Sequence, residues 1–274
     1  MAPDDAQQIT GFLINKFRGD LRLFDDGLAE IVTRTGWTSY GVIPWLAAAA
    51  RLPAEDAVVL ERPGAAKDAA LKIAVPLLSR IANFDDLDPL RAEPGVQITF
   101  VAPGSPLPRD ADVIILPGTK STSADLAFLR AQGWDHDLIA HARAGGRVLG
   151  LCGGYQMLGR TIDDPSGADG VAGLTEGLGL LALDTVMSPD KRVSPVTGRC
   201  ALTGAAMAGY EIHVGRTTGA DAQRPMLVLD HSGPDGARSA NGLIEGAYVA
   251  QQALGAAGTG LVKAVATVIT NSTA

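Results

Sequence analysis

The segment RVLGLCGGYQMLG, residues 147–159, places Cys152 between glycines, after an apolar run and before a stretch that can begin a helix. In a G-x-C-x-G pattern a strand turns sharply into a helix, and the glycines tolerate the strained turn and leave its apex accessible. Unpaired N–H groups at the helix start favour the thiolate, which is the nucleophilic form. The pattern therefore predicts a nucleophilic cysteine at a strand-to-helix turn.

Two backbone groups are candidates for an oxyanion hole beside this cysteine. The N–H of Gly153 points toward the position where an oxyanion would form. A second apolar strand, in DVIILPGTKSTSADL, breaks at Gly118, where a backbone N–H can approach a substrate without a side chain in the way. Ligands of open α/β sheets bind beyond the carboxyl ends of the strands, so Gly118, Gly153 and Cys152 are predicted to form one site.

Each motif also has a structural interpretation. A cysteine is more often a small buried hydrophobe than a nucleophile, and this interpretation is preferred for Cys200, which has no flanking glycine turn. GTKST, residues 118–122, lacks the glycine that precedes the Gly-Lys pair of a phosphate-binding loop, and it is interpreted as a turn that opens a helix.

Apolar strands and helical patterns alternate through the middle of the chain. This order is typical of a parallel sheet that is covered on both faces. The predicted class is α/β, an open, mainly parallel sheet with helices on both faces. Later strands in GLGLLALDTVMS and GYEIHVG are predicted to be antiparallel, at the edge of the sheet. The predicted parallel strands are 71–78, 96–102, 112–118 and 147–152.

Residues 9–63 predict only part of an α/β unit: a strand in ITGFLINKF, an amphipathic helix that ends at Gly36, and a strand in SYGVIPW. The segment 61–68, ERPGAAKD, combines proline, glycine and charge and predicts a linker. A domain boundary is therefore expected near residue 68.

Composition excludes several functional classes. The 274 residues are 46% apolar and 19% charged with a net charge of −7, and no basic cluster indicates a nucleic-acid or membrane surface. The start of the chain lacks a signal sequence and no apolar run reaches about 18 residues, so a cytoplasmic location is expected. Two cysteines without metal-ligand spacing argue against a disulfide framework or a metal site.

Several strings resemble the cobyric acid synthase family, the glutamine-dependent amidases of the cobalamin pathway. The resemblance implies a class I glutamine amidotransferase domain of flavodoxin-like fold over residues 69–250, in which Cys152 attacks the carboxamide of glutamine. Ammonia leaves, and water cleaves the thioester to glutamate. The strings are GFLINKFRGD, GVIPW with LPAEDAV, IAVPLLSRIANFDDLDPL, DVIILPGTKST, LGLCGGYQMLG and GYEIHVG.

The resemblance also implies the partner reaction. Family members use the ammonia to amidate adenosylcobyrinic acid a,c-diamide after ATP activates each carboxylate in an N-terminal P-loop-type domain. Residues 1–68 are similar only to the end of that domain, a truncated remnant, so ATP and Mg²⁺ would belong to the missing part and no cofactor is expected in this chain. Asn15 and Lys16 are either residues near the nucleotide base or a solvated strand end.

One departure from the family is a missing histidine. Family members carry a late GTYLHG segment whose histidine is the general base, and the aligned residues Gly246 to Gln251 place Ala250 at that position. The residues 251–274 form an atypical tail in which Lys263 is the only charge, as an altered reading frame or a damaged end would produce. The resemblance therefore predicts impaired glutamine hydrolysis.

Four histidines remain as substitutes for the base. His136 and His141 belong to the helical stretch before the cysteine strand, and His231 belongs to a polar loop. The resemblance places His213 near the pocket as a supporting residue. Loss of a general base lowers a rate by about 10²–10⁴-fold, so residual thiolate chemistry could survive.

Three functions fit these residues. The first is an impaired glutaminase with Cys152 as its nucleophile, and the second is a non-catalytic remnant that binds glutamine or a partner synthetase. The third is a cysteine hydrolase of the α/β-hydrolase type, for which Asp184 and His213 could formally serve as acid and base. The family strings favour the first, and Ala250 separates it from the second.

Overall fold

The computed structural model describes residues 9–17, 19–44, 69–82, 87–91 and 93–251. The chain divides into two compact units, Met1–Ala54 and Glu55–Ala274. The predicted linker at 61–68 and the predicted tail from residue 252 onward lie outside the described residues. The predicted boundary near residue 68 stays a prediction.

The first unit has the predicted order of strand, helix and strand. Asp20 accepts a hydrogen bond from the Arg22 N–H and begins a 3₁₀ turn before the helix. Gly36 ends the helix in the left-handed conformation with φ 70°, where glycine is favoured because it has no Cβ. The two strands pair in parallel. The elements are β1 Gly11–Phe17, the turn Leu21–Phe24, α1 Asp25–Thr35 and β2 Thr38–Pro44.

The second unit contains a six-stranded sheet in the order β13-β14-β6-β5-β3-β4. Five of these strands run parallel, and β13 is an antiparallel edge strand. All four residues of β5 are buried, as expected for a central strand that is covered on both faces. The strands are β3 Leu71–Pro76, β4 Val96–Val101, β5 Val113–Leu116, β6 Arg147–Leu151, β13 Ala237–Arg238 and β14 Ile244–Ala247.

Helices cover both faces of this sheet, which confirms the predicted class. On one face, Trp134 and Leu126 of two helices pack with Ile114 of the sheet. On the other face, Leu90 of a short helix packs with Ile115, and strands of a second sheet complete that side of the core. The helices are α2 Asp88–Arg91, α3 Thr122–Ala131, α4 Trp134–Arg143 and α5 Gly153–Met157.

The second sheet corrects one prediction. Its long strands β9 and β10 are antiparallel, as predicted, but they do not extend the edge of the parallel sheet. They pair with each other over most of their 18 and 14 residues, so their backbone groups are satisfied within a separate seven-stranded sheet. The strands are β7 Thr161–Asp164, β8 Gly173–Glu176, β9 Leu183–Cys200, β10 Ala206–Gly219, β11 Leu227–Leu229, β12 Gly233–Asp235 and β15 Val249–Gln251.

Candidate active site

Cys152 lies at the turn between β6 and α5, where the sequence predicts it. Its backbone has φ 50° and ψ −111°, a conformation that a residue with a side chain rarely adopts. A Cβ on Gly154 would lie 2.2 Å from the carbonyl oxygen of Leu116, so only glycine lets the turn pack against β5. The Cys152 N–H donates to the Ala247 carbonyl at 2.9 Å and fixes the turn to the end of β14.

The thiol of Cys152 faces β10 of the second sheet. Its sulfur donates a hydrogen bond to the carbonyl oxygen of Ile212 at 3.0 Å, and the residue is partly buried. The antiparallel sheet therefore forms one wall of the candidate site, while the carboxyl ends of the parallel strands form the other.

Both predicted oxyanion donors border the cysteine. A Cβ on Gly118 would lie 3.7 Å from the Cβ of Cys152, and one on Gly153 would lie 2.5 Å from the methyl carbon of Thr119. The loop after β5 and the start of α5 thus meet beside the sulfur-bearing residue. The role of Gly118 and Gly153 as donors to an oxyanion stays a prediction.

The start of α3 is occupied by a carboxylate of the chain itself. Asp169 accepts hydrogen bonds from the N–H groups of Thr122 and Ser123, each at 2.8 Å. Burial raises the pKa of Asp169, although the same hydrogen bonds oppose this shift. The N–H groups that a phosphate would need are already bonded, which agrees with the interpretation of GTKST as a helix-opening turn.

His213 is held by partners on its own strand. Its Nδ1 lies 3.0 Å from the Gly215 carbonyl oxygen and its Nε2 lies 3.0 Å from Oε1 of Glu211. Arg192 pairs with the other oxygen of Glu211 at 2.9 Å. Both ring nitrogens of His213 therefore face acceptors other than the Cys152 sulfur, and its role as a supporting residue stays a prediction.

His141 and Asp184 belong to separate networks. His141 bonds the Arg147 carbonyl at 3.1 Å, at the amino end of β6 and thus at the opposite end from Cys152, and burial lowers its pKa. Asp184 pairs with Thr161 and Arg160, and these hydrogen bonds lower its pKa. An acid–base pair of Asp184 and His213 is not assembled, because His213 has its own carboxylate in Glu211.

Position 250 lies on a strand beside the site. In the register of β15 with β10, Ala250 is opposite Tyr210 and Val249 is opposite Glu211. The same segment begins just after Ala247, whose carbonyl bonds the Cys152 N–H. β15, which contains position 250, therefore runs beside β10, the strand that supplies the Ile212 carbonyl.

A buried tyrosine is a feature that the sequence interpretation did not include. The Tyr248 hydroxyl bonds Thr217 and accepts from Nε2 of Gln156 at 3.3 Å, and its backbone N–H donates to Asp235 at 3.2 Å. Burial raises the pKa of Tyr248 to about 12 and that of Asp235 to about 6, with nearby Glu211 adding to the shift at Asp235. The sequence feature that could have indicated this buried network is Gln156, which lies one helical turn after Cys152.

The described ranges hold no cluster of three or more His, Cys, Asp and Glu side chains that could bind a metal ion. In the first unit, the Asn15 side chain accepts a hydrogen bond from the Lys16 N–H at 2.8 Å. None of the described helices is long and apolar enough to cross a membrane.

The fold and the cysteine turn define a class I glutamine amidotransferase-like α/β domain. Residues 72–253 match the model of the CobB/CobQ-like glutamine amidotransferase domain, and the chain belongs to this family. The predicted family is thereby confirmed.

The chain is also similar to named relatives. It is 61% identical over 247 residues to the cobyric acid synthase of Hyphomonas neptunium, covering 90% of this chain and 50% of that protein. The corresponding values for the cobyric acid synthase of Caulobacter sp. (strain K31) are 60% over 247 residues, 89% and 51%. The chain therefore spans about half the length of the curated relatives it matches.

Similarity to a solved structure supports the assignment of the fold and nothing further. PurLQS from Thermotoga maritima is 16% identical, with a TM-score of 0.57, and the match covers 74% of this chain and 99% of that one.

Proposed function

We propose that the chain is the glutamine-hydrolysing part of a cobyric acid synthase and that Cys152 is its nucleophile. The observation that supports the proposal most directly is the positive φ of Cys152 at the carboxyl end of β6, where Gly118 and Gly153 border it. A strained turn of this kind persists only where the surrounding structure enforces it, and such turns cluster at active sites.

In the proposed reaction the Cys152 thiolate attacks the carboxamide carbon of glutamine. The N–H groups of Gly118 and Gly153 would stabilise the oxyanion as the C–S bond forms. The C–N bond then breaks, the nitrogen takes up a proton and leaves as ammonia, and water hydrolyses the thioester to glutamate and the free thiol. With alanine at position 250 no histidine there moves these protons, so we expect turnover about 10²–10⁴-fold below that of a complete site.

The ammonia would serve an ATP-dependent amidation of adenosylcobyrinic acid a,c-diamide. This part of the proposal rests only on the similarity to cobyric acid synthases. The chain spans about half of their length, so the residues described in this structure do not themselves support the amidation. ATP and Mg²⁺ would bind the other half, and the Cys152 site itself would need no cofactor. The proposed location of the reaction is the cytoplasm, where ATP and glutamine are abundant.

A second candidate function is glutamine binding without turnover. Two observations favour it: both nitrogens of His213 are engaged away from the thiol, and position 250 is alanine. In this case the Cys152 site would hold glutamine or dock a synthetase without releasing glutamate.

Glutamate release from glutamine, measured together with glutamine binding by calorimetry, tests both candidates. We expect slow release by the unaltered chain that is lost in Cys152→Ala, and faster release by Ala250→His. Binding without release in the unaltered chain and in Ala250→His would favour the second candidate. Absence of binding in every variant would contradict both.

A further inference from the structure

Asp125 is a fully buried carboxylate in the first turn of α3, with 0% of its surface exposed. It accepts a hydrogen bond from the Ser79 hydroxyl at 2.5 Å, one from the Thr119 hydroxyl at 2.5 Å, and two long ones from the Arg80 N–H at 3.2 and 3.1 Å. A buried carboxylate requires such donors, so its place among them is strongly specified.

These donors come from two different loops at the carboxyl end of the parallel sheet. Ser79 and Arg80 follow β3, whereas Thr119 follows β5. The loops also bond each other directly, through the Ala82 N–H to the Gly118 carbonyl at 2.8 Å and the Lys120 N–H to the Arg80 carbonyl at 3.0 Å. Asp125 therefore ties together two segments that are about 40 residues apart in the chain.

The loop that carries Thr119 also contacts the cysteine turn. The Thr119 methyl group occupies the space that a Cβ on Gly153 would need, and the preceding residue, Gly118, lies against Cys152. A shift of Thr119 would thus displace the two backbone groups predicted to bind the oxyanion relative to the sulfur.

We propose that Asp125 is a positioning residue, which sets the oxyanion hole of Cys152 by holding Thr119 and the loop after β3 in place. The inference rests on the proposed glutamine hydrolysis and deepens it. Asp125 does not touch the substrate: it acts through Thr119 on Gly118 and Gly153. A misplacement of about 1 Å in such a site can lower a rate by about 10²-fold.

Two alkylating reagents separate alignment of the hole from access to the thiol. The chloromethyl ketone analogue of glutamine reacts through a tetrahedral adduct whose oxygen needs the hole. In this adduct the Cys152 sulfur is bonded to the ketone carbon. The sulfur then transfers to the methylene carbon, so the second C–S bond forms as the first C–S bond and the C–Cl bond break. The C=O re-forms, chloride leaves and the thiol proton passes to solvent. Iodoacetamide reacts by direct displacement of iodide and forms no oxyanion. Rates of Cys152 modification are followed by mass spectrometry of the full chain.

For Asp125→Asn we expect the maximal rate with the chloromethyl ketone to fall about 10-fold or more, with half-saturation unchanged. The iodoacetamide rate should stay within about twofold. Thr119→Val has nearly the same side-chain shape and removes the bond to Asp125, together with the bond that the Thr119 hydroxyl accepts from the Ser121 N–H at 3.1 Å. It should show the same selective loss even if Asp125→Asn folds poorly. Asp221→Asn is the matched control, because Asp221 is also a buried carboxylate that accepts a backbone hydrogen bond, from Ala182 at 2.7 Å.

The outcomes distinguish this inference from the function on which it rests. If the unaltered chain prefers the ketone and both Asp125→Asn and Thr119→Val retain that preference, the positioning role is overturned while the proposed function stands. An equal loss of both rates in Thr119→Val would also overturn it, because a role confined to the oxyanion hole predicts a loss with the ketone alone. A lack of preference in the unaltered chain would overturn the proposed function and the positioning role together.

Discussion

The rings of His213 and Tyr248 stack face to face, with centroids 3.8 Å apart and an angle of 19° between their planes. His213 belongs to β10 and Tyr248 lies just before β15, so the stack joins the strand beside the Cys152 thiol to the segment that carries position 250. His213 therefore packs against that segment and bonds Glu211, and we expect it to support the site rather than to act as the base.

Cys152 should be the more reactive of the two cysteines. Its side chain is partly exposed at the turn, whereas Cys200 is only 5% exposed within the second sheet. Brief iodoacetamide treatment of the native chain, followed by peptide mass spectrometry, should label Cys152 first. Preferential labelling of Cys200 would contradict the assignment of Cys152 as the nucleophile.

Ala250→His should restore glutamine hydrolysis only in part. A general base must reach hydrogen-bonding distance of the thiol, and catalytic groups tolerate displacements of only about 0.5 Å. Replacement of residues 246 to 274 by a family-like segment containing GTYLHG and its following helix should restore more. Glutamate release is measured for each variant, with Cys152→Ala in the same background as the control.

The same assay tests the role of His213. Family-like turnover by the unaltered chain that survives His213→Ala would show that another group is the base. Turnover that His213→Ala abolishes, with the fold intact by circular dichroism, would instead promote His213 from support to base.

Tyr248→Phe should lower the free energy of unfolding by about 1–3 kcal/mol, because the buried Gln156 amide and the partly buried Thr217 hydroxyl lose their bonds to the Tyr248 hydroxyl. Urea denaturation measures this change. Adding Thr217→Val to Tyr248→Phe should cost less than the sum of the two single changes, since both partners of one bond are then absent. Additive losses would show that the hydroxyl contact contributes little.

The stability of the chain should fall as pH rises from about 4 to about 6, in part because of Asp235. Burial raises the folded-state pKa of Asp235 from 3.8 to about 6, so the native state binds a proton that the unfolded state has already released. This contribution is complete below pH 3.8 and is lost above about pH 6.

Asp235→Asn should therefore reduce the difference in unfolding free energy between pH 4 and pH 7 by about 1–3 kcal/mol. Asparagine keeps an oxygen that can accept the Tyr248 N–H. Urea titrations at the two pH values measure the difference, with Asp230→Asn as an exposed control. An unchanged pH dependence in Asp235→Asn would show that Asp235 titrates normally.

Local patterns predicted much of the fold and the position of Cys152 at a strand-to-helix turn. The turn at Cys152 and the helix end at Gly36 are determined by backbone conformation within a few residues. Glycines in the sequence therefore indicate both features directly. The separate second sheet could not be predicted in this way. Strand alternation gives the period of β9 and β10 but does not say which edge they pair with.

The sequence by itself determined the family, the α/β order of elements, the cysteine turn and the alanine at position 250, because each depends on contiguous residues. Only the tertiary structure decided that Asp125 ties two loops beside Cys152 and that Glu211, Gly215 and Tyr248 hold His213. The Asp125 contacts with the β3 loop and the His213–Tyr248 stack join residues more than 30 positions apart. The His213 bonds to Glu211 and Gly215 are short in sequence, but they depend on side-chain directions that packing selects. Such partners are chosen by strand register and core packing, which no local pattern encodes.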